Sequence, residues 1–385
     1  MDSRESGPHL IKAAQAGVSL MSVPYEDHGL LTTPQLHFIV RCKNDPNFGL
    51  AKEIGYYTKI SDAFKELLKL GSETEQSSYS PYLVLDCSNG VGAMKMRMLC
   101  RFIPETELKI EFRNENGELN CKFICLVSAI LTKCGADYVK IEQMLPENFD
   151  DVDINTKCAS LDGDADRLVY FRRKTKDSKK ALLLDGDRIA VLIAKYVKEA
   201  LNVAGITNLT VGVVQTAYAN GNSTKFLREV VGITPVFVPT GVKHLHHAAV
   251  QFDIGIYFEA NGHGTVVVGD ALADLLVVES LLRWYGFSVI DWERQFYADA
   301  PSVQIKVPVA DRSIFKTTYD ETILIEPEGV QLKIDSLVEQ YSEARAFVRP
   351  SGTENVVRIY AETQLADEAE ALAESIAVII RDLEE

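Results

Sequence analysis

The residues best able to do chemistry lie together in Ser160-Leu-Asp-Gly-Asp-Ala-Asp-Arg167, where Asp162, Asp164 and Asp166 occupy every second position. On extended backbone this spacing sends three carboxylates to one side. Held close, they repel one another unless a cation sits between them. Hard oxygen ligands on a compact loop suit Mg2+, which accepts few protein ligands and leaves room for a phosphate oxygen. Arg167 follows at once and could balance a phosphoryl group beside the metal. An EF-hand needs Gly at its sixth position and Glu at its twelfth, and here those are Arg167 and Arg173. A plain acidic turn is the competing reading. The flanks Cys158-Ala-Ser-Leu161 and Leu168-Val-Tyr-Phe171 are apolar, which sets the acids on a short loop between two buried strands.

Arg349-Pro-Ser-Gly-Thr-Glu-Asn355 holds a second set of chemical groups. Gly352 lets backbone N–H groups turn toward an anion as a nest. Ser351 and Thr353 add hydroxyl donors, Arg349 adds a two-pronged fork, and Arg358 on the following strand could reach the same anion. A dianionic phosphate suits this set, and an ordinary turn is the alternative. Glu259-Ala-Asn-Gly-His263 follows the apolar strand Ile254 to Phe258, the usual place for a ligand loop in an α/β sheet. Glu259 can accept two sugar hydroxyls, and Asn261 can donate and accept. Lys243, in Thr240-Gly-Val-Lys-His-Leu-His-His247, could contact a phosphate, move a proton, or simply be solvated. The histidines beside it lack the spacing of a helical zinc site.

The elements that must position these groups follow from periodicity. Helices are expected over 8–23, with Leu10, Ile11, Ala14, Val18 and Met21 on one face, and over 50–69. A short strand is expected near His37 to Val40, and a loop over 73–81. Strands at 82–86, 109–113 and 168–171 form a first α/β unit. Helix 187–202, strand 210–215, helix 222–231, and strands 235–238 and 253–258 form a second. This alternation predicts a mostly parallel sheet. Strands 302–308 and 356–361 with helix 366–383 predict a smaller α+β domain at the C-terminal end. A second Asp-Gly-Asp at 185–187 lies at a strand-to-helix junction and reads as a helix cap.

The 385 residues suffice for several cores, with 46% hydrophobic and 25% charged residues, as in globular proteins. A net charge of −15 argues against nucleic acid and anionic membranes as partners. It leaves room for a phosphorylated substrate bound by a local basic cluster. Seven scattered cysteines read as reduced thiols in a cytoplasmic protein. The start is not a signal peptide, and the apolar run Phe123 to Leu131 is too short to span a bilayer. P-loop, dinucleotide-binding and nucleophile-elbow patterns are absent.

Asp-Gly-Asp-Ala-Asp-Arg, Glu-Ala-Asn-Gly-His and Arg-Pro-Ser-Gly-Thr-Glu-Asn, in that order, resemble the α-D-phosphohexomutase superfamily. Asn261, where phosphoglucomutases and phosphomannomutases typically carry Ser, points to the phosphoacetylglucosamine mutase branch. The resemblance covers nearly the whole chain. It implies a multidomain α/β architecture of four mixed domains: a first-domain remnant at 1–50, then 51–182, 183–297 and the smaller α+β domain 298–385. It implies interconversion of N-acetylglucosamine 6-phosphate and 1-phosphate through a 1,6-bisphosphate, an isomerase reaction serving UDP-N-acetylglucosamine synthesis. Mg2+ would sit on Asp162, Asp164 and Asp166. Glu259, Ala260 and Asn261 would recognise the sugar. Arg349, Pro350, Ser351, Gly352 and Thr353, with Arg358, would hold the phosphate. Arg167 and Lys243 would serve the transfer, which proceeds by positioning and charge neutralisation.

Three departures stand out. The family's nucleophile lies in a Thr-Ala-Ser-His-Asn loop, and no His of this chain is preceded by Ser. An apolar piece around Cys121 to Thr132 looks inserted, and the stretch after His263 runs quickly into Asp270. The expectation from the first is a chain that begins after the serine loop, exposes apolar surface over 8–40, and binds sugar phosphate with little turnover. An aspartyl phosphatase would need D-x-D-x-[TV], but Asp166 stands at its fifth position.

Overall fold

The computed structural model describes residues 6–70, 77–115, 133–265 and 269–383. The expected insertion at Cys121 to Thr132 and residues 266–268 of the short link after His263 lie outside them. The chain divides into two compact units, residues 1–193 with 261–295, and 194–260 with 296–385.

In the first unit, strands β1 (Tyr82–Asp86), β2 (Lys109–Arg113), β3 (Cys158–Leu161), β4 (Leu168–Arg173) and β5 (Ala181–Leu184) form one sheet in the order β2-β1-β3-β4-β5. The expected parallel sheet is only half realised. β1 pairs parallel with β2 and β3, but β3–β4 and β4–β5 are antiparallel. The Asp162 to Arg167 link is too short for a helical crossover, so it can only reverse the chain. All ten residues of β3 and β4 are buried, the apolar run Leu168 to Phe171 as expected and Arg172 and Arg173 through their bonds to Glu293 and to backbone carbonyls. The helix Ala136–Glu142 covers one face through Ala136 and Val139, packed with Val84, Phe149, Val169 and Phe171.

The strand expected near His37 to Val40 is instead inside a helix, Thr33–Asn44. The sequence carried the signal. Thr32 caps the helix by accepting from Gln35 N at 3.2 Å, Gln35 returns the bond to Thr32 N, and Pro34 occupies the first turn. The predicted first helix forms over Gly7–Leu20, but only Gly7 in it is buried. Its apolar face stays uncovered, with Leu10 65% exposed and Met21, just beyond it, 76%. The helix Glu53–Leu70 turns Tyr56, Tyr57 and Phe64 inward and leaves Ile54 exposed. Tyr56 donates to the buried Asp270 carboxylate at 2.8 Å.

The helix Ala271–Tyr285 brings Glu279 into the same unit, where it pairs with Lys157. Both are fully buried, and Tyr79 and Tyr170 also donate to the carboxylate, each at 3.0 Å. Burial pulls the Lys157 pKa down, against the opposing pull of Glu279. Replacing Lys157 with Met would leave that carboxylate without its cation. Urea denaturation should then show a loss of about 3 kcal/mol; an unchanged midpoint would mean that the hydrogen bonds from Tyr79 and Tyr170 are enough to hold the carboxylate.

In the second unit, β6 (Val211–Gln215) lies between β7 (Val236–Phe237) and β8 (Ile254–Phe258) and pairs parallel with both; a two-residue strand, β9 (Gly264–Thr265), comes next in the chain. The helix Val242–Ala249 covers them through Leu245 and Ala249. The expected helix 222–231 runs as α-helix over Gly221–Phe226 and continues as a π turn over Leu227–Val231. Farther along, β10 (Ser302–Pro308), β13 (Arg345–Pro350) and β14 (Val356–Glu362) form an antiparallel sheet in the order β10-β14-β13. The helix Ala366–Arg381 buries Ala369, Leu372, Ala373, Ile376, Ala377 and Ile380 against it, a helical stripe in which each Leu or Ile contributes roughly 1.5–3 kcal/mol. A hairpin of β11 (Lys316–Thr317) and β12 (Leu324–Glu326) carries residues 318–323 at its tip.

Candidate active site

The aspartate loop joins two buried antiparallel strands, so its ends are fixed by the sheet. One carboxylate oxygen from each of Asp162, Asp164 and Asp166 lies within 4.8 Å of the others. Among the described residues this is the one group of His, Cys, Asp and Glu close enough to hold a metal. Asp162 also accepts the backbone N–H of Asp166 at 3.0 Å and of Arg167 at 3.2 Å, closing the loop on itself. Ala165 takes a left-handed φ of 59°, a conformation disfavoured for any residue with a Cβ.

The charges here are unbalanced. Burial, and then the neighbouring carboxylates of Asp166 and Asp164, push the Asp162 pKa well above the usual range. Burial also works to raise Asp166, but a bond from His263 and that residue's charge outweigh it and bring the group down to about 2. His263 Nδ1 lies 3.3 Å from Asp166 Oδ2, while Asp166 Oδ1 is buried with no hydrogen-bond partner. A buried carboxylate oxygen facing two more carboxylates is a set of donors that a hard divalent cation fits.

Several residues that hold this loop are not apparent from the motif. Asp137 takes Arg167 Nη1 with both oxygens at 2.7 Å. Burial opposes the Arg167 charge, but Asp137, Asp162 and Asp166 together keep it firmly protonated. Asp86, at the end of β1, accepts from Ser160 Oγ at 2.6 Å and Gly135 N at 2.7 Å. Gly262 N-terminal to His263 offers its carbonyl to Leu168 N, and at φ 87° a Cβ there would meet the Leu168 carbonyl at 2.2 Å. Gly90, in the Gly90-Val-Gly92 stretch, has a packing role: a Cβ would stand 2.4 Å from Gly163 O, between Asp162 and Asp164. Gly90→Ala should therefore displace the aspartate loop. Thermal denaturation is expected to show a loss of about 1–3 kcal/mol, together with weaker Mg2+ binding; a variant matching the parent in both would show that the loop shifts freely.

Asp185 behaves as a cap, as expected. It accepts the N–H of Asp187 at 3.1 Å and pairs with Lys140 at 2.5 Å.

In the second unit the antiparallel register sets Arg349 directly opposite Arg358, with Lys306 next in the row. Cross-strand partners share a face, and like charges side by side repel. An anion over this row removes the repulsion. Arg349 is anchored: its Nε donates to Tyr218 OH at 3.0 Å and its Nη1 lies 3.3 Å from Glu321. Arg358 Nε is buried without a partner.

Gly352 does not adopt the left-handed conformation of a nest, and a Cβ added there would meet nothing within 4 Å. The loop is shaped by other means. Arg312 Nη1 takes the carbonyls of Ser351 at 2.8 Å and Glu354 at 3.2 Å. In a trans peptide the following N–H points the opposite way, so Arg312 turns the amides of Gly352 and Asn355 outward. Ser351 is buried, while Gly352 and Thr353 are exposed at the tip beyond Pro350.

Glu259 is half-buried and accepts Gly241 N through Oε1 at 3.2 Å, leaving Oε2 open. Ala260 is its half-buried neighbour. Lys243 is exposed in the first turn of Val242–Ala249, next to that glycine, with no ion pair among the described residues. Asn261 Oδ1 accepts His263 N at 3.0 Å, so its amide nitrogen remains as donor.

Family models match three stretches: phosphoacetylglucosamine mutase AMG1, domain II, over residues 47–169; the same family's domain III over 185–268; and the phosphoglucomutase/phosphomannomutase C-terminal domain over 305–379. The chain is 40% identical to the phosphoacetylglucosamine mutase of Sus scrofa, over 98% of this chain and 74% of that one. It is 41% identical to that of Arabidopsis thaliana, over 99% and 75%. The chain belongs to the phosphoacetylglucosamine mutase family. Its fold matches Aspergillus fumigatus N-acetylphosphoglucosamine mutase in complex with GlcNAc-6P and magnesium, with TM-score 0.90 and 39% identity over 100% of this chain and 76% of that one. It also matches an N-acetylglucosamine-phosphate mutase in its product complex, with TM-score 0.88 and 40% identity over 98% and 76%.

Membership of the phosphoacetylglucosamine mutase family bears out the resemblance drawn from the three motifs, and with it the multidomain α/β class and the assignment to a phosphomutase family. No helix among the described residues is long and apolar enough to cross a membrane. None of the five described cysteines is in a disulfide.

Proposed function

We propose that this chain binds Mg2+ and N-acetylglucosamine phosphate and serves the interconversion of the 6-phosphate and 1-phosphate through the 1,6-bisphosphate, in the cytoplasm, as a step toward UDP-N-acetylglucosamine. The observation that carries this reading is the convergence of Asp162, Asp164 and Asp166 around a buried, unpartnered Asp166 oxygen. Bound there, the cation would neutralise charge on a phosphoryl oxygen. Arg167, steadied by Asp137, adds positive charge beside it. Arg349, Arg358, the outward amide of Gly352 and the hydroxyls of Ser351 and Thr353, with Pro350 fixing the turn, hold a phosphate dianion. Glu259 and Asn261, with Ala260 between them, accept and donate to sugar hydroxyls. Lys243 reaches a phosphate or a hydroxyl proton from its helix. The domain boundaries at residues 50, 182 and 297 belong to the same proposal, supported by the stretches the family models match.

Calorimetric titration of the chain with N-acetylglucosamine 6-phosphate, with and without Mg2+, tests this. Saturable binding strengthened by Mg2+ is expected, and N-acetylglucosamine without phosphate should bind far more weakly. Equal affinity for the two sugars would overturn the phosphate reading. Binding without turnover is a second reading, favoured by the absence of any Ser-His pair in the sequence. A coupled assay primed with sugar bisphosphate separates the two.

A further inference from the structure

Glu321 is a feature to which no motif points. It sits at the tip of the β11–β12 hairpin, half-buried, at a left-handed φ of 61°. That conformation is disfavoured for a residue with a Cβ, and it persists only where the surroundings hold it. Here they do. Glu321 N donates to Thr318 O at 3.0 Å, and Asp320 accepts from Thr318 Oγ1 at 2.6 Å and from Thr322 N at 3.4 Å.

The strained backbone aims the carboxylate between two loops of the second unit. Oε1 lies 3.3 Å from Arg349 Nη1. Oε2 accepts both the N–H of Thr240 at 3.0 Å and its hydroxyl at 2.7 Å. The next residue, Gly241, gives its N–H to Glu259. One carboxylate thus joins the phosphate-loop arginine to the loop that holds Glu259 and precedes Lys243. With Nε on Tyr218 and Nη1 on Glu321, Arg349 is fixed on two edges. Its Nη2 has no hydrogen-bond partner among the described residues and is left for an anion.

We propose that Glu321 is a positioning residue for substrate: anchored on Thr240, it pre-orders Arg349 toward the phosphate. This rests on the function proposed above. A guanidinium already held pays less ordering entropy when the phosphate arrives, and a dianion gains more from a fork of fixed direction. The carboxylate also places a negative charge near the phosphate, which opposes binding. Arg349 stands between the two, and the row of Arg358 and Lys306 keeps the local balance positive.

The test is a cycle on the full chain, titrating N-acetylglucosamine 6-phosphate by calorimetry into the parent, Glu321→Ala, Glu321→Gln, Arg349→Ala and the double variant. Glu321→Ala is expected to weaken binding about ten-fold. Glu321→Gln keeps an acceptor for Thr240 but loses the charge facing Arg349, and should recover only part of that loss. The double variant should bind no worse than Arg349→Ala alone, because Glu321 acts through Arg349. Affinity for N-acetylglucosamine itself should not change in any of them. If the parent binds no sugar phosphate, the functional reading falls. If the parent and Arg349→Ala behave as expected but Glu321→Ala binds like the parent, or the losses simply add, the role of Glu321 falls. Circular dichroism melts of each variant identify any loss that comes from unfolding, and Glu321→Gln, which keeps the Thr240 contacts, carries the test if Glu321→Ala does not fold.

Discussion

Arg349→Ala is expected to lower affinity for N-acetylglucosamine 6-phosphate by about 100-fold, because a charge-assisted fork to a dianion is among the strongest contacts a site can offer. Arg349 lies opposite Arg358 with Lys306 beyond it, so the unliganded sheet carries three cations in a row. Removing one relieves repulsion in the free protein while it weakens the complex. Affinity and stability should therefore part company: binding collapses while the melting temperature falls little, losing only the Tyr218 and Glu321 contacts. Calorimetry and thermal melts on one preparation check both. A large drop in melting temperature with phosphate affinity intact would make Arg349 a structural residue.

Asp164→Ala is expected to abolish measurable Mg2+ binding, a loss of more than about 100-fold, since even a change behind a metal ligand commonly costs 10–100-fold. The same substitution lessens the repulsion among Asp162, Asp164 and Asp166. The metal-free variant should melt no lower than the parent, and the rise in melting temperature that Mg2+ gives the parent should vanish. The loop also sets a pH dependence. Asp162 is raised well above the ordinary carboxylate range by burial and by its two neighbours, so it keeps its proton into conditions where a free aspartate has lost it. The cation must displace that proton. Mg2+ affinity should therefore rise with pH through the titration of Asp162, with proton uptake by buffer on binding. Calorimetry in two buffers of different ionisation enthalpy measures this directly. Affinity that is flat with pH, and heats that do not depend on buffer, would show that Asp162 is already ionised. Unchanged Mg2+ affinity in Asp164→Ala would remove the metal site from this loop.

Much of the fold was legible because its signals are local. The apolar runs at Cys158 to Leu161 and Leu168 to Phe171 and the stripe from Ala369 to Ile380 each carry their own periodicity. His37 to Val40 is helical rather than extended for a reason that is also local. The Thr32 and Gln35 capping box with Pro34 was present in the sequence and outweighs four residues of apolar pattern. The expected parallel sheet failed because strand direction depends on how the links close in space, and the short aspartate loop permits only reversal.

The same division runs through the site. The sequence by itself determined which groups are available: three aspartates at a spacing of two, and a Ser-Gly-Thr turn with Arg349 before it and Arg358 on the strand after it. Those are properties of a few consecutive residues, and extended backbone converts their spacing into direction. Only the tertiary structure decided who holds them. Asp137 clamps Arg167 from 30 residues away, Asp86 reaches Ser160 across 74, and Tyr218 meets Arg349 across 131. Glu321 joins Arg349 to Thr240 from a hairpin that no motif marks. Such partners are single polar residues whose chemistry is unremarkable in sequence, and their role arises when packing of distant elements removes water and leaves each charge one neighbour to bond.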